Sequence, residues 1–464
     1  MTENPQLRET QAIVGSGATP GGNVELVRAI AAALEHDNNK SVVELTETLA
    51  TPDLADVLEI LDTSQCVALV EALGPKFDIE VLSELDEGVR DQLSEALPNE
   101  FLAVAAAELD TDDAVYLLEN LQESDRQEII EQLPSEDRAA VERNFEYDED
   151  TAGRLMQSEF VAVAPFWTVG QVIDHLRTAE NLPEMFSEIL IVDPTYRVLG
   201  ALGLSQLVRT QRDVVMQDIM SAELHTVVAT QDQEEVAREF ERYDLISAPV
   251  VDENGRLVGV ITVDDVVDVI QEEAEEDMRA LAGVGDESLA DRVASTVGSR
   301  LPWLVVNLAT AILASLVIKA FDASIEQMVA LAVLMPIVAS MGGNAGTQTM
   351  TVTVRALATN KLGRLNAPRV IMRETIVGIV NGVLLSIIMA LVTYVWFGSQ
   401  MLGLVIAVAM VFNLFCAALA GILIPLLMDW LDKDPAPASG VLVTTVTDVV
   451  GFFAFLGLAA LWIG

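Results

Sequence analysis

At 464 residues the chain is about three times the length of a typical domain, so two or three domains are expected. It holds 71 Asp+Glu against 26 Lys+Arg, and the balance is uneven, with 64 acids and 18 bases before Arg300 and only seven and eight from there on. So acidic a first part would be repelled by phosphate backbones, which excludes nucleic acid as a partner, and two cysteines, Cys66 and Cys416, leave no room for a disulfide framework.

Residues 1–24 are rich in Gly, Thr, Asn and Gln without periodicity and read as a flexible tail, with no signal-peptide pattern. The acidic part is therefore expected in the cytosol. From 25 to 150, short amphipathic segments are punctuated by Gly74-Pro75, Leu97-Pro98 and Leu133-Pro134 and reopened by Thr51, Thr111-Asp112-Asp113 and Ser135-Glu136-Asp137. Proline past a helix end, followed by a capping residue, is the chemistry of consecutive short helices, and a superhelical N domain is the economical reading. The triplet Glu-Leu-Asp recurs at Glu84 and Glu108.

Between 151 and 270 one pattern is written twice. Ile189-Leu-Ile-Val-Asp193-Pro-Thr-Tyr-Arg197-Val-Leu-Gly200 matches Ala248-Pro-Val-Val-Asp252-Glu-Asn-Gly-Arg256-Leu-Val-Gly259 at a constant offset of 59. Each copy reads strand, helix, strand, strand, helix, the last helix opening at Leu204-Ser205 or at Thr262-Val-Asp264-Asp265. This resembles a tandem pair of CBS domains, an α+β ligand-sensing module.

Residues 271–300 continue an acidic helix that Gly283 and Gly285 interrupt, as expected of a linker. Asp264, Asp265, Asp268, Glu272, Glu273, Glu275, Glu276 and Asp277 put eight carboxylates in fourteen positions. Taken alone, such a run is most often a solvated helix face. From 301 to 464 come five apolar segments, near 301–321, 326–358, 370–397, 401–428 and 440–463, each long enough to cross a bilayer at about 1.5 Å per residue. Arg355, Lys361, Arg364, Arg369 and Arg373 flank the loop after the second segment, so the positive-inside rule places that loop in the cytoplasm and the C-terminus outside.

Two membrane features point to chemistry. Pro336 to Thr349 reads Pro-Ile-Val-Ala-Ser-Met-Gly-Gly-Asn-Ala-Gly-Thr-Gln-Thr. So many glycines and polar groups argue for irregular backbone lining a cavity, the alternative being tight small-residue packing. Asp448 is the only acid in the interior of the five segments. An ionised carboxylate at that depth costs about 2.5–3.5 kcal/mol on insertion scales, and such residues mark ion paths.

The Gly-Gly-Asn-Ala-Gly-Thr-Gln-Thr run, the Asp434-Pro-Ala-x-Ala-Ser-Gly loop, Thr-Thr-Val-Thr-Asp448 and the domain order closely resemble the MgtE family of magnesium channels, from about residue 25 to the end. The resemblance implies a homodimer in the inner (plasma) membrane with a central pore. Asp448 of each protomer would hold hydrated Mg²⁺, helped by the Thr444 carbonyl and by Gly342, Gly343 and Asn344. It also implies regulatory Mg²⁺ at Asp232, Glu234, Asp244, Asp265, Asp268, Glu273, Glu276, Asp277 and Asp434, bridging domains and closing the pore when cytosolic Mg²⁺ is high. Asp110, Asp112 and Asp113 are candidates of the same kind in the helical domain. CBS pairs often hold adenosine nucleotides, and Asp264 or Asp265, at a helix start, is placed to meet a ribose; occupancy by ATP stays open. No enzyme is expected, because His36, His175 and His225 all precede the membrane part and no phosphate-binding loop motif occurs. The rival readings are a CBS-regulated secondary transporter of divalent cations and a membrane-tethered divalent or nucleotide sensor.

Overall fold

The computed structural model describes residues 24–462 except 180, 181, 184, 285–292, 360, 364, 432 and 434, so the expected tail and Asp434 lie outside the described residues. The chain forms two compact units, one ending at Glu273 and one beginning at Ala274.

The first unit opens with the helices Val24–Glu35, Asn39–Thr46, Thr51–Ile60, Thr63–Leu73, Glu87–Ala96, Asn99–Glu108, Thr111–Leu118, Glu123–Gln132 and Ser135–Asn144, here α1 to α9. The stop-and-cap chemistry is visible at their ends. Pro52 sits in the first turn of α3, Pro98 and Pro134 immediately precede α6 and α9, and Asp62 and Gln65 form a reciprocal capping box on α4. Helices this short are marginal alone. Apolar stripes such as Leu54, Val57 and Leu58 of α3 and Leu102, Ala105 and Ala106 of α6 join them in one core. Arg90 of α5 lies inside that domain, 1% exposed, its guanidinium carbon 3.3 Å from the centre of the Tyr116 ring.

After Ala152–Leu155 (α10) the two copies of the repeat follow. The first is Ala162–Val163 (β1), Val169–Thr178 (α11), Glu188–Val192 (β2), Val198–Gly203 (β3), Leu204–Arg209 (α12) and Met216–Ile219 (α13). The second is Val227–Val228 (β4), Gln233–Tyr243 (α14), Ser247–Val251 (β5), Leu257–Thr262 (β6) and Val263–Ala282 (α15). In each sheet the first strand runs parallel to the second and the second antiparallel to the third, with a register irregularity at the same place, after Ile191 and after Val250. The repeated Asp builds the turn. Asp193 Oδ1 accepts from the Thr195 and Arg197 amides at 2.7 and 3.0 Å, and Asp252 Oδ1 accepts from the Asn254 and Arg256 amides, both at 2.8 Å. The next-to-last turn position is left-handed in both copies, φ +64° at Tyr196 and +75° at Gly255, a conformation that only glycine adopts freely.

The copies touch through that turn, Arg197 forming a bridge with Arg256. The core of the second copy is closed by Ala152 and Met156, which precede the first copy in the chain. Gln157 pairs with Val260 of β6, and the bare Cα of Gly259 leaves the space that Met156 fills.

The second unit contains Val293–Ala320 (α16), Asp322–Gln327 (α17), Ala330–Ala358 (α18), Ala367–Phe397 (α19), Gln400–Trp430 (α20) and Pro435–Trp462 (α21), five of which are long and apolar enough to cross a membrane. Within the expected linker, 271–300, α15 continues to Ala282, Gly283 takes φ +71°, and α16 is described from Val293. Helix α20 is the hub, packed along α18, α19 and α21, whereas α16 is almost entirely uncovered.

Close approach comes from two glycine pairs at four-residue spacing, the small-residue device of membrane helices. Gly378 and Gly382 of α19 face Ala418, Leu414 and Val411 of α20, while Gly342 and Gly346 of α18 face Asn413 and Ala417 of α20 and Val443 of α21. Helix α18 runs unbroken through Pro336 and the whole Gly-Gly-Asn-Ala-Gly run. The expectation of irregular backbone there is corrected: the run is helical, and Gly342 and Gly346 serve packing. A Cβ on Gly346 would stand 2.6 Å from Val443 Cγ1, and one on Gly421 would stand 2.6 Å from the Gly346 carbonyl oxygen.

Candidate functional site

In the first unit, two helix starts bring carboxylates together. Helix α7 is preceded by Asp110 and carries Asp112 and Asp113 in its first turn; α15 opens with Asp264 and Asp265, with Asp268 a turn further on. Each set makes local sense, because the exposed amides of a helix N-terminus favour negative charge. Packed against one another, the two sets repel. Burial, then the Asp265 and Asp113 carboxylates, hold the Asp112 carboxyl well above the usual carboxylate range. Burial and Asp265 push Asp113 up to about 7. Burial also lifts Asp265 to about 6, against the hydrogen bond its Oδ2 accepts from Thr262 Oγ1 at 2.7 Å.

Glu84 joins from the segment before α5, raised by burial and by Asp268. Sequence reasoning did not single it out, although the signal was there. The triplets Glu84-Leu85-Asp86 and Glu108-Leu109-Asp110 each lead into a helix, α5 and α7, so the repeat marks equivalent positions. Further along α15, Glu272 Oε1 accepts from the Tyr116 hydroxyl at 3.0 Å. Among the described residues no three His, Cys, Asp or Glu side chains converge closely enough to cage a bare metal ion. Hydrated Mg²⁺ asks for less, being held through one or two carboxylates with several waters retained.

The other regulatory candidates separate. Asp232 caps the start of α14, accepting from the Glu234 amide at 2.9 Å, and Asp244 follows its last turn with φ +53°. The 11 residues of α14 between them span roughly 16 Å, so these two do not meet in one site. Glu234 is paired with Arg238. Glu273 accepts from Gln233 Nε2 at 2.9 Å, which brings it beside the α14 start and Asp232. Glu276 and Asp277 belong to the second unit, near the end of α15. Of the two ribose candidates, Asp265 is engaged by Thr262 and the α7 acids, and Asp264 is exposed.

In the membrane unit Asp448 lies in the middle of α21, half-buried. The Thr444 carbonyl accepts from Thr447 Oγ1 at 2.9 Å, and the Thr444 hydroxyl donates to the Gly440 carbonyl at 2.9 Å. Gly343 has open space beside its Cα and Asn344 is exposed, whereas Gly342 is buried against Asn413. Asn413 was not expected. It is fully buried in α20, and its Nδ2 donates to the Val338 carbonyl at 2.9 Å. Its signal was plain enough: it is the one amide between Leu402 and Leu427 in an otherwise apolar run.

A helical domain, a pair of CBS-like repeats and, among the described residues, five membrane-length helices define a multi-pass membrane protein. Residues 335–458 match the MgtE family described as a divalent cation transporter, residues 49–150 match the MgtE intracellular N domain, and residues 215–272 match the CBS domain. The magnesium transporter MgtE of Thermus thermophilus is 34% identical over 443 residues, 94% of this chain and 98% of that protein. The magnesium transporter MgtE of Bacillus subtilis is 33% identical over 361 residues, 78% of this chain and 80% of that protein. A crystal structure of the cytosolic domain of the Mg²⁺ channel MgtE in complex with ATP is 33% identical with a TM-score of 0.49, covering 52% of this chain and 99% of that one. The chain belongs to the MgtE family of magnesium transporters.

Proposed function

We propose that the chain is a homodimeric Mg²⁺ channel of the inner (plasma) membrane, closed by Mg²⁺ on its cytosolic side. Family membership supports the cargo. Asp448, in the middle of α21, supplies the conduction site, and with Asn344 it offers oxygen ligands to a cation that keeps its water. The uncovered apolar side of α16, with Leu304, Leu308 and Ile312 exposed, is left for lipid or a second protomer.

The observation that carries the gating reading is the meeting of Asp112, Asp113 and Asp265 in one buried place. Like charges there disfavour the compact arrangement until protons or cations arrive. Hydrated Mg²⁺ neutralises them and holds α15 against α7, and α15 leads into the membrane unit. Moving a two-state equilibrium from mostly open to mostly closed takes about 5.5 kcal/mol, more than one weak bridging site supplies, so several sites fill together and closure is cooperative. ATP is proposed at the CBS pair with the exposed Asp264 near its ribose; calorimetry with ATP, with and without Mg²⁺, tests that.

The deciding experiment is electrical recording in planar bilayers with Mg²⁺ varied on each side. The parent gives unitary currents that cytosolic-side Mg²⁺ shuts steeply. A variant with Asp265→Asn, Asp268→Asn, Glu273→Gln, Glu276→Gln and Asp277→Asn loses that sensitivity. Mg²⁺ flux without unitary currents identifies a secondary transporter instead, and an unchanged midpoint and steepness in the variant removes the gating reading.

A further inference from the structure

The membrane unit contains a polar group that its packing alone does not require. Asn413 is fully buried at the centre of α20, where Leu would fill a similar volume without a polar atom. Its Nδ2 donates to the Val338 carbonyl of α18, while its Oδ1 is buried without a hydrogen-bond partner among the described residues. The amide is wedged between two glycines. A Cβ on Gly342 of α18 would overlap Nδ2, and one on Gly451 of α21 would stand 2.8 Å from it. Gly342 lies one turn after Val338 and two residues before Asn344. Gly451 lies one turn after Asp448.

We infer that Asn413 is the positioning residue that sets the spacing and rotation of the Asn344 segment against the Asp448 helix, and thereby the discrimination of Mg²⁺ from other divalent cations. The inference rests on the reading of Asp448 as the conduction site. A hydrogen bond to a backbone carbonyl is directional, so it fixes both the depth and the rotation of α18, which apolar contact alone leaves free to slide. The glycine contacts on both sides then transmit that position from α18 through the amide to α21. An ion that keeps its hydration shell is selected by the width of its site, because its direct ligands are few. A site that widens admits Ca²⁺ more readily, because Ca²⁺ holds its oxygens at about 2.3–2.6 Å where Mg²⁺ holds them at about 2.0–2.1 Å. The unpartnered Oδ1 is destabilising in an apolar interior, so the amide provides its directional bond at a cost in stability that an apolar side chain would not carry.

The experiment is uptake by the full chain in proteoliposomes, read as the ratio of Mg²⁺ to Ca²⁺ entry beside thermal stability. Asn413→Ala is expected to stay folded and to lower the ratio about threefold to tenfold, the effect of losing one interhelical hydrogen bond in a membrane. Asn413→Ser, whose hydroxyl is too short to reach Val338, answers the same question should the alanine variant not fold. Adding Gly451→Ala to Asn413→Ala refills the vacated space and is expected to restore stability without restoring the ratio. A parental ratio in Asn413→Ala or Asn413→Ser, or a ratio restored by the added methyl, overturns the inference in favour of volume filling. Asp448→Asn is run alongside. If it transports like the parent, the conduction-site reading fails; if it is dead while the Asn413 variants keep the parental ratio, only the positioning role fails.

Discussion

The soluble unit gathers like charges where it could have dispersed them, and the membrane unit admits almost none. In the first, Asp112, Asp113 and Asp265 are buried together with their carboxyls pushed above the usual range, an arrangement that stabilises little until something positive arrives. In the second, adhesion is built from Gly342, Gly346, Gly378, Gly382 and Gly421, which let backbones touch, and from one amide, Asn413. Strain held in charge can be relieved by an ion, whereas tight steric packing responds to none. On the proposed reading, responsiveness belongs to the first unit and a fixed geometry to the second.

The largest effect expected from breaking the contrast is at Asp448, where the membrane unit makes its exception. Asp448→Asn keeps the shape, loses the charge and should abolish Mg²⁺ uptake while the protein stays folded, read as growth of an uptake-deficient strain at low Mg²⁺; growth at the parental rate refutes it. Next comes a substitution with opposite signs in the two units. Gly421→Ala drives a methyl toward the Gly346 carbonyl and should destabilise the membrane unit by about 1–3 kcal/mol. Asp113→Asn removes a buried repulsion and should stabilise the first unit without Mg²⁺, by on the order of 1–3 kcal/mol. Thermal unfolding of the full chain in detergent measures both, and a destabilised Asp113→Asn protein would mean that its charge is already compensated.

A smaller effect sharpens the comparison through pH. Asp113 and Asp265 bind protons more tightly folded, up to about 7 and about 6, than the 3.8 of an unstrained Asp. Their contribution is therefore fully present below about pH 4 and is lost as pH rises through 6 to 7. With divalent ions chelated, the first unit should be more stable at pH 5 than at pH 8, and added Mg²⁺ should narrow the gap by stabilising it at pH 8. A stability flat across that window, with or without Mg²⁺, would leave the cluster no electrostatic role. The smallest effect is at Tyr116→Phe, which removes the bond to Glu272 and should cost about 1–2 kcal/mol of the first unit's stability.

What was legible in the sequence divides along the same line. The turns at Asp193 and Asp252 could be read directly, because each aspartate bonds to amides two and four residues away, so the cause of the structure lies within five residues. The helix starts at Thr111 and Val263 were readable for the same reason. That their acids meet was not, since about 150 residues separate them and repulsion leaves no pattern in a single chain. The unbroken course of α18 was misread because glycine's poor helix propensity is a property of helices in water. Inside a membrane an unbonded backbone group costs more than glycine's lost entropy, and the helix persists wherever neighbours can use the bare surface. Gly378 and Gly382 announced that use by their spacing and were passed over.

The closing of the second CBS core by Ala152 and Met156 has a consequence for how the pair can be cut. The later copy begins and ends outside the earlier one: its first core residues stand before β1 and its last helix after β6. The arrangement is that of a guest held within a host. Ending the chain after the first copy leaves Ala152 and Met156 with nothing to cover, and starting it at the second copy leaves Gly259 facing a hole. A split at the midpoint, which the 59-residue repeat invites, would expose apolar surface on both fragments. Lifting out the guest leaves Ala152 and Met156 over the host's own core but uncovers Leu257, which packs against Leu190, Val192 and Ala201 of the guest, so an exchange has to supply an apolar face at that place.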